Sequence, residues 1–330
     1  MRTVLAAVLA GGRTVYIPAG QYLLRTGVVQ GGIYSNIVLA PGCPVVGDGI
    51  GKTFLLAGRS DCHPFGAVGL RDLSVSSLSV VRQPGADLSG QDAAKLALCT
   101  KVFFRDVESR DLMQGPQFYG CTDVVAVGCI SRNCLLSGLG AVDLVDDRET
   151  WVGTDRVRFE RCRVSGTQAP HYGFRVLGVS HDSLAHGVTL VDCVASDNAG
   201  AGIYVKCAQG VLLQRCRAVR NGQDGIALLG SQTCTVERCT ALNNNTSQYR
   251  FGYMGISVGR SPELVGPCLD NVVRACRSGN SKPHVGQSYG YYEFDGAFHS
   301  TVTFNDFRGN VTRPAEYRPG TVHYGNKPRG

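Results

Sequence analysis

The sequence of 330 residues is 43% hydrophobic and 18% charged, with a formal net charge of +7. That balance excludes a disordered chain and allows a substantial core, and no apolar run approaches the ~18 residues of a membrane-spanning helix. The positive charge tilts the expectation toward an anionic partner.

The chain opens MRTVLAAVLAGG. Its apolar run is broken almost at once by TVYIPAG, which leaves no room for a signal-peptide cleavage region. Residues 1–12 read as an N-terminal cap, with LAAVLA as a short amphipathic helix covering the open end of the fold. Thr14–Leu24 and Asn36–Gly58 read as short strands between Gly and Pro. The pattern continues less regularly in VGLRDLSV (Val68–Val75), VFFRDVES (Val102–Ser109) and VVAVGCIS (Val124–Ser131). Arg82–Lys95 and Val142–Asp155 read as longer turns, which on a solenoid project from one face and border a groove.

From Gly187 one unit is written twice in succession, GVTLVDCVASDNAGAGIYVKCA and GVLLQRCRAVRNGQDGIALLGS, and a third copy follows in CTVERCTALNNN. Cys193, Cys216 and Cys239 align at intervals of 23 residues, as do Asn198, Asn221 and Asn244. Each copy holds an alternating strand that ends at Cys and a second strand after Asn-Gly, with no run long enough for a core helix. Short strands with a turn after each, repeated at a fixed period, give an all-β parallel β-helix in which one unit is one rung. Asn suits the corners, since it tolerates the left-handed backbone region and its amide can bond to the Asn one rung away.

Cys129, Cys162, Cys193, Cys216, Cys239 and Cys276 share one place in the rung, so they are expected to stack as an inward ladder of reduced thiols. A reduced ladder fits a cytoplasmic protein. The insertions Thr246–Met254 and Ser281–Tyr292 lengthen one corner and their aromatics suggest a wall beside the groove. Residues 13–309 are expected to form the rungs of a single domain, and residues 310–330 lack alternation and read as an irregular tail.

The wording GG-x-TVYIPAG-x-Y followed by G-D-G-x-GKT, with VRFERCRVSG, HYGFRV and SYGYYEFDG later on, resembles the pectate-lyase-like right-handed β-helix superfamily. Within it the chain is most similar to the catalytic modules of mannuronan (alginate) C5-epimerases. The resemblance covers most of the chain and implies the fold; the same fold hosts lyases, hydrolases, epimerases and non-enzymes. It also implies a catalytic tyrosine, acid, histidine and lysine around a Y-G-F-D-P-H motif. At the matching place this sequence reads Tyr172-Gly173-Phe174-Arg175-Val176-Leu177, so the tyrosine is kept while Arg175 and Leu177 replace the aspartate and histidine. One rung on, Lys206 stands at an acidic position of the family and Asp224 at a histidine position.

Alternation assigns the faces: Arg175, Leu177, Tyr204, Lys206, Ala227, Leu229, Tyr292 and Phe294 point outward. The candidate catalytic set is Tyr172, Arg175, Lys206 and Asp224, because removing a proton beside a carboxylate needs a base, an acid and a cation to hold the enolate. His171, Leu177, Tyr204, Leu229, Tyr292 and Phe294 are the candidate substrate contacts. Glu293 is expected to point inward in a structural hydrogen-bonding role.

No cofactor is called for; Asp143, Asp146, Asp147 and Glu149 form an acidic turn with oxygen ligands that could take Ca²⁺, against the plainer reading of a solvated loop. Nothing argues for nucleic acid or a membrane, and the sequence sets no oligomeric state. Three functions are consistent with these residues. The first is a lyase, epimerase or isomerase on an acidic saccharide. The second is a cytosolic biosynthetic isomerase or cyclase acting on a small, partly apolar molecule. The third is a non-catalytic, tailspike-like binding protein.

Overall fold

The computed structural model describes residues 2–4, 7–8, 12–87, 91–145, 151–180, 183–247, 253–260, 266–281 and 286–327. They form a parallel β-helix. Its strands join into two long sheets, of 23 and 13 strands among the described residues, the larger folding round a corner to supply two sides of each rung. The 23-residue sequence period reappears as pairing register: Thr189 pairs with Leu212, Val194 with Arg217 and Ile203 with Ile226.

The corners carry the left-handed residues that such a coil demands. In successive rungs Asp192, Arg215 and Arg238 hold φ of 54°, 52° and 51° at one corner. At the next corner Asp197, Arg220 and Asn243 hold 57°, 55° and 55°. The left-handed position therefore falls one residue before Asn198, Asn221 and Asn244, not on them as the sequence suggested. Those asparagines instead point inward, where burial makes an unpaired amide costly, and they form a ladder. Asn198 Nδ2 donates to Asn221 Oδ1 at 2.8 Å, and Asn221 Nδ2 to Asn244 Oδ1 at 2.9 Å.

The cysteine ladder is as expected: all fourteen cysteines are free and buried. The thiols of Cys193, Cys216 and Cys239 each donate to a carbonyl of the preceding rung at 3.3–3.4 Å. Beside them Phe104, Phe118, Phe159 and Phe174 stack through the core with ring centroids 5.6, 6.2 and 6.1 Å apart. Glu293 is fully buried and accepts hydrogen bonds from the Tyr291 hydroxyl, the Arg318 backbone N–H and the Thr321 hydroxyl, each at 2.6 Å.

Both ends differ from expectation. Instead of a capping helix, Arg2–Val4 pairs with Tyr22–Leu24, and Ala7–Val8 with Ile37–Val38, both in parallel. A helix of six residues is marginal on its own, whereas strand pairing satisfies these backbone groups on an existing sheet edge; the rest of LAAVLA lies outside the described residues. At the other end Arg313–Glu316 pairs with Tyr289–Tyr292, and Val322–Tyr324 with Thr301–Thr303. The stretch after Asn310 thus adds strands to both sheets.

Replacing Asn221 with Ala removes a ladder amide and leaves buried partners on both sides unpaired. The expected loss is about 3 kcal/mol of unfolding free energy, read from urea unfolding; a change below about 0.5 kcal/mol, the level of an ordinary surface substitution, would show that the ladder is dispensable.

Candidate functional site

The smaller sheet carries the face to which the sequence assigned the site. Along it Phe174–Leu177 and Ile203–Lys206 each alternate buried and half-buried positions, so Arg175, Leu177, Tyr204 and Lys206 face outward as expected. Leu229, Tyr292 and Phe294 do the same, half-buried, whereas Ala227, expected to be exposed, is buried between the larger side chains of the adjacent rungs, Tyr204 and Ser257. Register places Lys95, Gln117, Gly140, Arg175 and Tyr204 in one outward row. Tyr119, Val142, Leu177, Lys206 and Leu229 form the row beside it.

The structure does not bring Tyr172, Arg175, Lys206 and Asp224 together. Tyr172 lies flat on Tyr204, with ring centroids 3.8 Å apart and 6° between the planes, and His171 stands edge-on to it at 6.1 Å. Asp224 faces the C-terminal rungs, where its carboxylate accepts from the Met254 N–H and the Ser257 hydroxyl, both at 2.7 Å. Burial pushes its pKa up to about 6. Lys206 stands between Leu177 and Leu229 in the outer row. Tyr292 packs edge-on against Phe294 at 4.8 Å, which closes an aromatic end to the face.

Arg175 turns the other way. Its Nε donates to Gln117 Oε1 at 2.9 Å and its Nη2 to the Tyr119 hydroxyl at 3.2 Å. To reach them it crosses Gly140, where a Cβ would collide with Gln117 Oε1 and stand 3.0 Å from Arg175 Nε. Gln117 is oriented for this contact because its Nε2 donates to the Gly138 carbonyl at 3.0 Å. Lys95 places its ammonium 5.7 Å from the centre of the Tyr119 ring. Two cations therefore converge on one tyrosine.

Beneath them lies Asp92, 3% exposed, whose carboxylate accepts from Gln114 Nε2 at 2.9 Å. The Asp92 backbone N–H donates to His63 Nδ1 at 3.0 Å, which leaves the proton of the neutral imidazole on Nε2. Burial pushes Asp92 up to about 6, against the pull of Lys95, Arg175, Gln114 and a Tyr119 hydrogen bond. Burial and the Lys95 charge push His63 down to about 4. The two shifts run opposite to those of an ion pair, so the 4.0 Å approach of His63 to Asp92 is a contact of a neutral ring. Tyr119 is pushed up to about 12, chiefly by burial and then by the Asp92 charge.

The sequence pointed to Arg175 and not to His63, Asp92, Lys95, Gln114, Gln117 or Tyr119. The available signal was the pair AKLALC and QFYGC: each puts a short alternating strand just before a cysteine, in the manner of GIYVKC. Lys95 belongs to the strand Ala94–Ala97 and not to a long turn. Of the acidic turn, Asp146, Asp147 and Glu149 lie outside the described residues. Asp143 is buried and accepts from the Thr154 N–H at 2.7 Å, and no group of three or more His, Cys, Asp or Glu among the described residues is placed to hold a metal. The Thr246–Met254 and Ser281–Tyr292 insertions also fall partly outside the described residues.

Because the fold holds the Asp92 proton up to about pH 6 while an unfolded chain releases it near ~4, the folded state binds more protons between those values. The stability Asp92 contributes is then full below about pH 4 and is lost as pH rises through about 6. Asp92→Asn should remove that slope, so the stability difference between wild type and variant should shift on the order of 3 kcal/mol between pH 4 and 7 in the variant's favour. Denaturant unfolding at the two pH values checks it, and an equal difference at both would mean that Asp92 titrates normally.

Several solved structures share this fold. The A-module of the Azotobacter vinelandii mannuronan C-5 epimerase AlgE6 superposes with a TM-score of 0.71 at 18% identity, covering 97% of this chain and 91% of that one. The AlgE4 A-module from the same organism gives 0.68 at 17%, covering 94% and 91%. The Streptococcus pneumoniae surface protein and adhesin PfbA gives 0.64 at 13%, covering 96% and 89%. At these identities the likeness is one of fold, and the third protein shows that the fold also serves adhesion. No curated protein matches the sequence. The family described as "Right handed beta helix region" matches residues 149–318, just over half of the chain, and the chain belongs to that right-handed β-helix family.

Proposed function

We propose that the chain is a proton-transfer enzyme acting on an acidic saccharide, with an epimerase-type isomerisation or a lyase cleavage as its outcome. The observation that carries this reading is the convergence of Arg175 and Lys95 on Tyr119. A proton beside a carboxylate becomes removable when fixed positive charge stabilises the enolate oxygens. Arg175, a planar fork, and Lys95, a point charge, are suited to holding that carboxylate. Tyr119, kept protonated by its burial, is the acid: it donates to the carbanion face for epimerisation, or to the leaving glycosidic oxygen for cleavage. Tyr172, held flat on Tyr204, is the group assigned to accept the C5 proton; it does so as the phenolate, and the proton it gains passes to solvent before the next turnover. Asp92, below Tyr119, is the group that returns a proton to the phenol.

The naming of two proteins of similar fold as mannuronan C-5 epimerases supports a uronate as the substrate class. A second reading, a smaller and partly apolar substrate, is favoured by Leu177, Leu229, Tyr292 and Phe294 along the same face.

The test is incubation with mannuronate and guluronate oligomers in D₂O, followed by proton NMR for loss of the C5 signal and by ultraviolet absorbance for an unsaturated product. Wild type should exchange or cleave, and Tyr119→Phe should lose roughly 10²-fold or more of the rate. Full activity in Tyr119→Phe would remove Tyr119 from the mechanism, and no reaction of wild type on any uronate would leave the smaller-substrate reading.

A further inference from the structure

A second concave site lies on another side of the helix, where the strands Arg163–Ser165, Val194–Ser196 and Arg217–Val219 stack. It is a cavity of about 410 Å³ whose polar lining is Arg132, Arg163, Ser165, Ser196, Arg217 and Arg220, the rest being aliphatic. That volume falls in the range of ligand pockets, ~300–1,000 Å³. Four guanidiniums and no carboxylate line it. Arg220 is held by Asp197 in two contacts at 2.7 and 2.8 Å, and Arg132 stands 3.7 Å from Glu108. Among the described residues Arg163 and Arg217 have no carboxylate partner, although their exposed counterparts at the neighbouring corner, such as Arg215 with Asp192 at 2.7 Å, are paired. Arg163 and Arg217 share one outward row with Val194 between them, and the row continues through Thr240 to Arg277. Two rungs separate each arginine from the next, roughly 10 Å at the usual strand spacing.

We propose that this groove binds a linear acidic saccharide, with carboxylates seated on Arg163 and Arg217 and hydroxyls on Ser165 and Ser196. Arginine in place of lysine favours planar oxyanions taken two oxygens at a time. Nucleic acid is disfavoured because the lining contains no aromatic side chain on which a base could stack. The regular spacing of the arginines along the helix axis suits a chain with recurring anionic groups. The choice of a saccharide over other polyanions rests on the uronate reading of the Tyr119 centre; the binding of an anion does not.

Calorimetric titration of a mannuronate oligomer of six units into wild type, Arg163→Gln/Arg217→Gln and Lys95→Met tests both sites at once. Wild type should show two binding events, the double variant should weaken one of them about tenfold or more, and raised salt should weaken the same event. Thermal melts matching wild type confirm that the exposed substitutions leave the fold intact. Unchanged stoichiometry and affinity in the double variant would overturn the proposal. Equal, arginine-dependent binding of single-stranded DNA or of inorganic polyphosphate would overturn the saccharide assignment, since the groove would then read charge alone. Loss of one event in the double variant with none in Lys95→Met would uphold the groove and count against the Tyr119 centre.

Discussion

Rung-to-rung register is the constraint on which this protein depends. The strands of successive rungs pair in parallel, so inward residues of the ladder meet their equivalents at the strand spacing of about 4.8 Å. Like must therefore tolerate like. Small thiols do so without charge or strain, phenylalanines do so by tilting, and asparagines do so because each amide carries both a donor and an acceptor. A residue unable to meet its own copy would appear as an unsatisfied group or a void within the ladder.

The same register builds the site. It gives neighbouring outward side chains fixed spacing, so a long side chain can bridge rungs when the position between is empty. Arg175 does this across Gly140, and the absence of a Cβ there is what joins Arg175 to Gln117 and Tyr119. The cost is concentrated on Asp92, a buried carboxylate beneath two cations that do not fully offset its desolvation. A group held off its ordinary titration range in this way is destabilising for the fold and useful for proton transfer, which is the pattern of a functional site.

The sequence was most legible where the period was constant. Between Gly187 and Ala241 the 23-residue interval and the alternation within each unit predicted which residues face outward, and Tyr204, Lys206 and Leu229 lie on the predicted face, as do Arg175 and Leu177 one rung earlier. It was least legible among the earlier rungs. There the intervals vary, Gly140 pairing with Arg175 across a much longer stretch than that between Lys95 and Gln117, so Lys95 read as part of a turn. Alternation also assigns a side of the sheet but not the direction in which a long side chain leans. The lean of Arg175 toward Gln117 and Tyr119 was illegible for that reason, and the left-handed corner, a property of the backbone, falls on Arg220 and not on Asn221.

Charge follows the same geometry. At the outer corners acids and arginines of adjacent rungs pair off, as in Asp192 with Arg215, Asp197 with Arg220 and Asp123 with Arg156. Such exposed pairs add little stability, but they cancel charge locally. Among the described residues Arg163 and Arg217 keep no carboxylate partner on one side of the helix, and Lys95 and Arg175 stand over the buried Asp92 on another. A net charge of +7 spread evenly would serve mainly solubility. Positive charge held at a defined place, as around the cavity lined by four arginines, draws anions to that place.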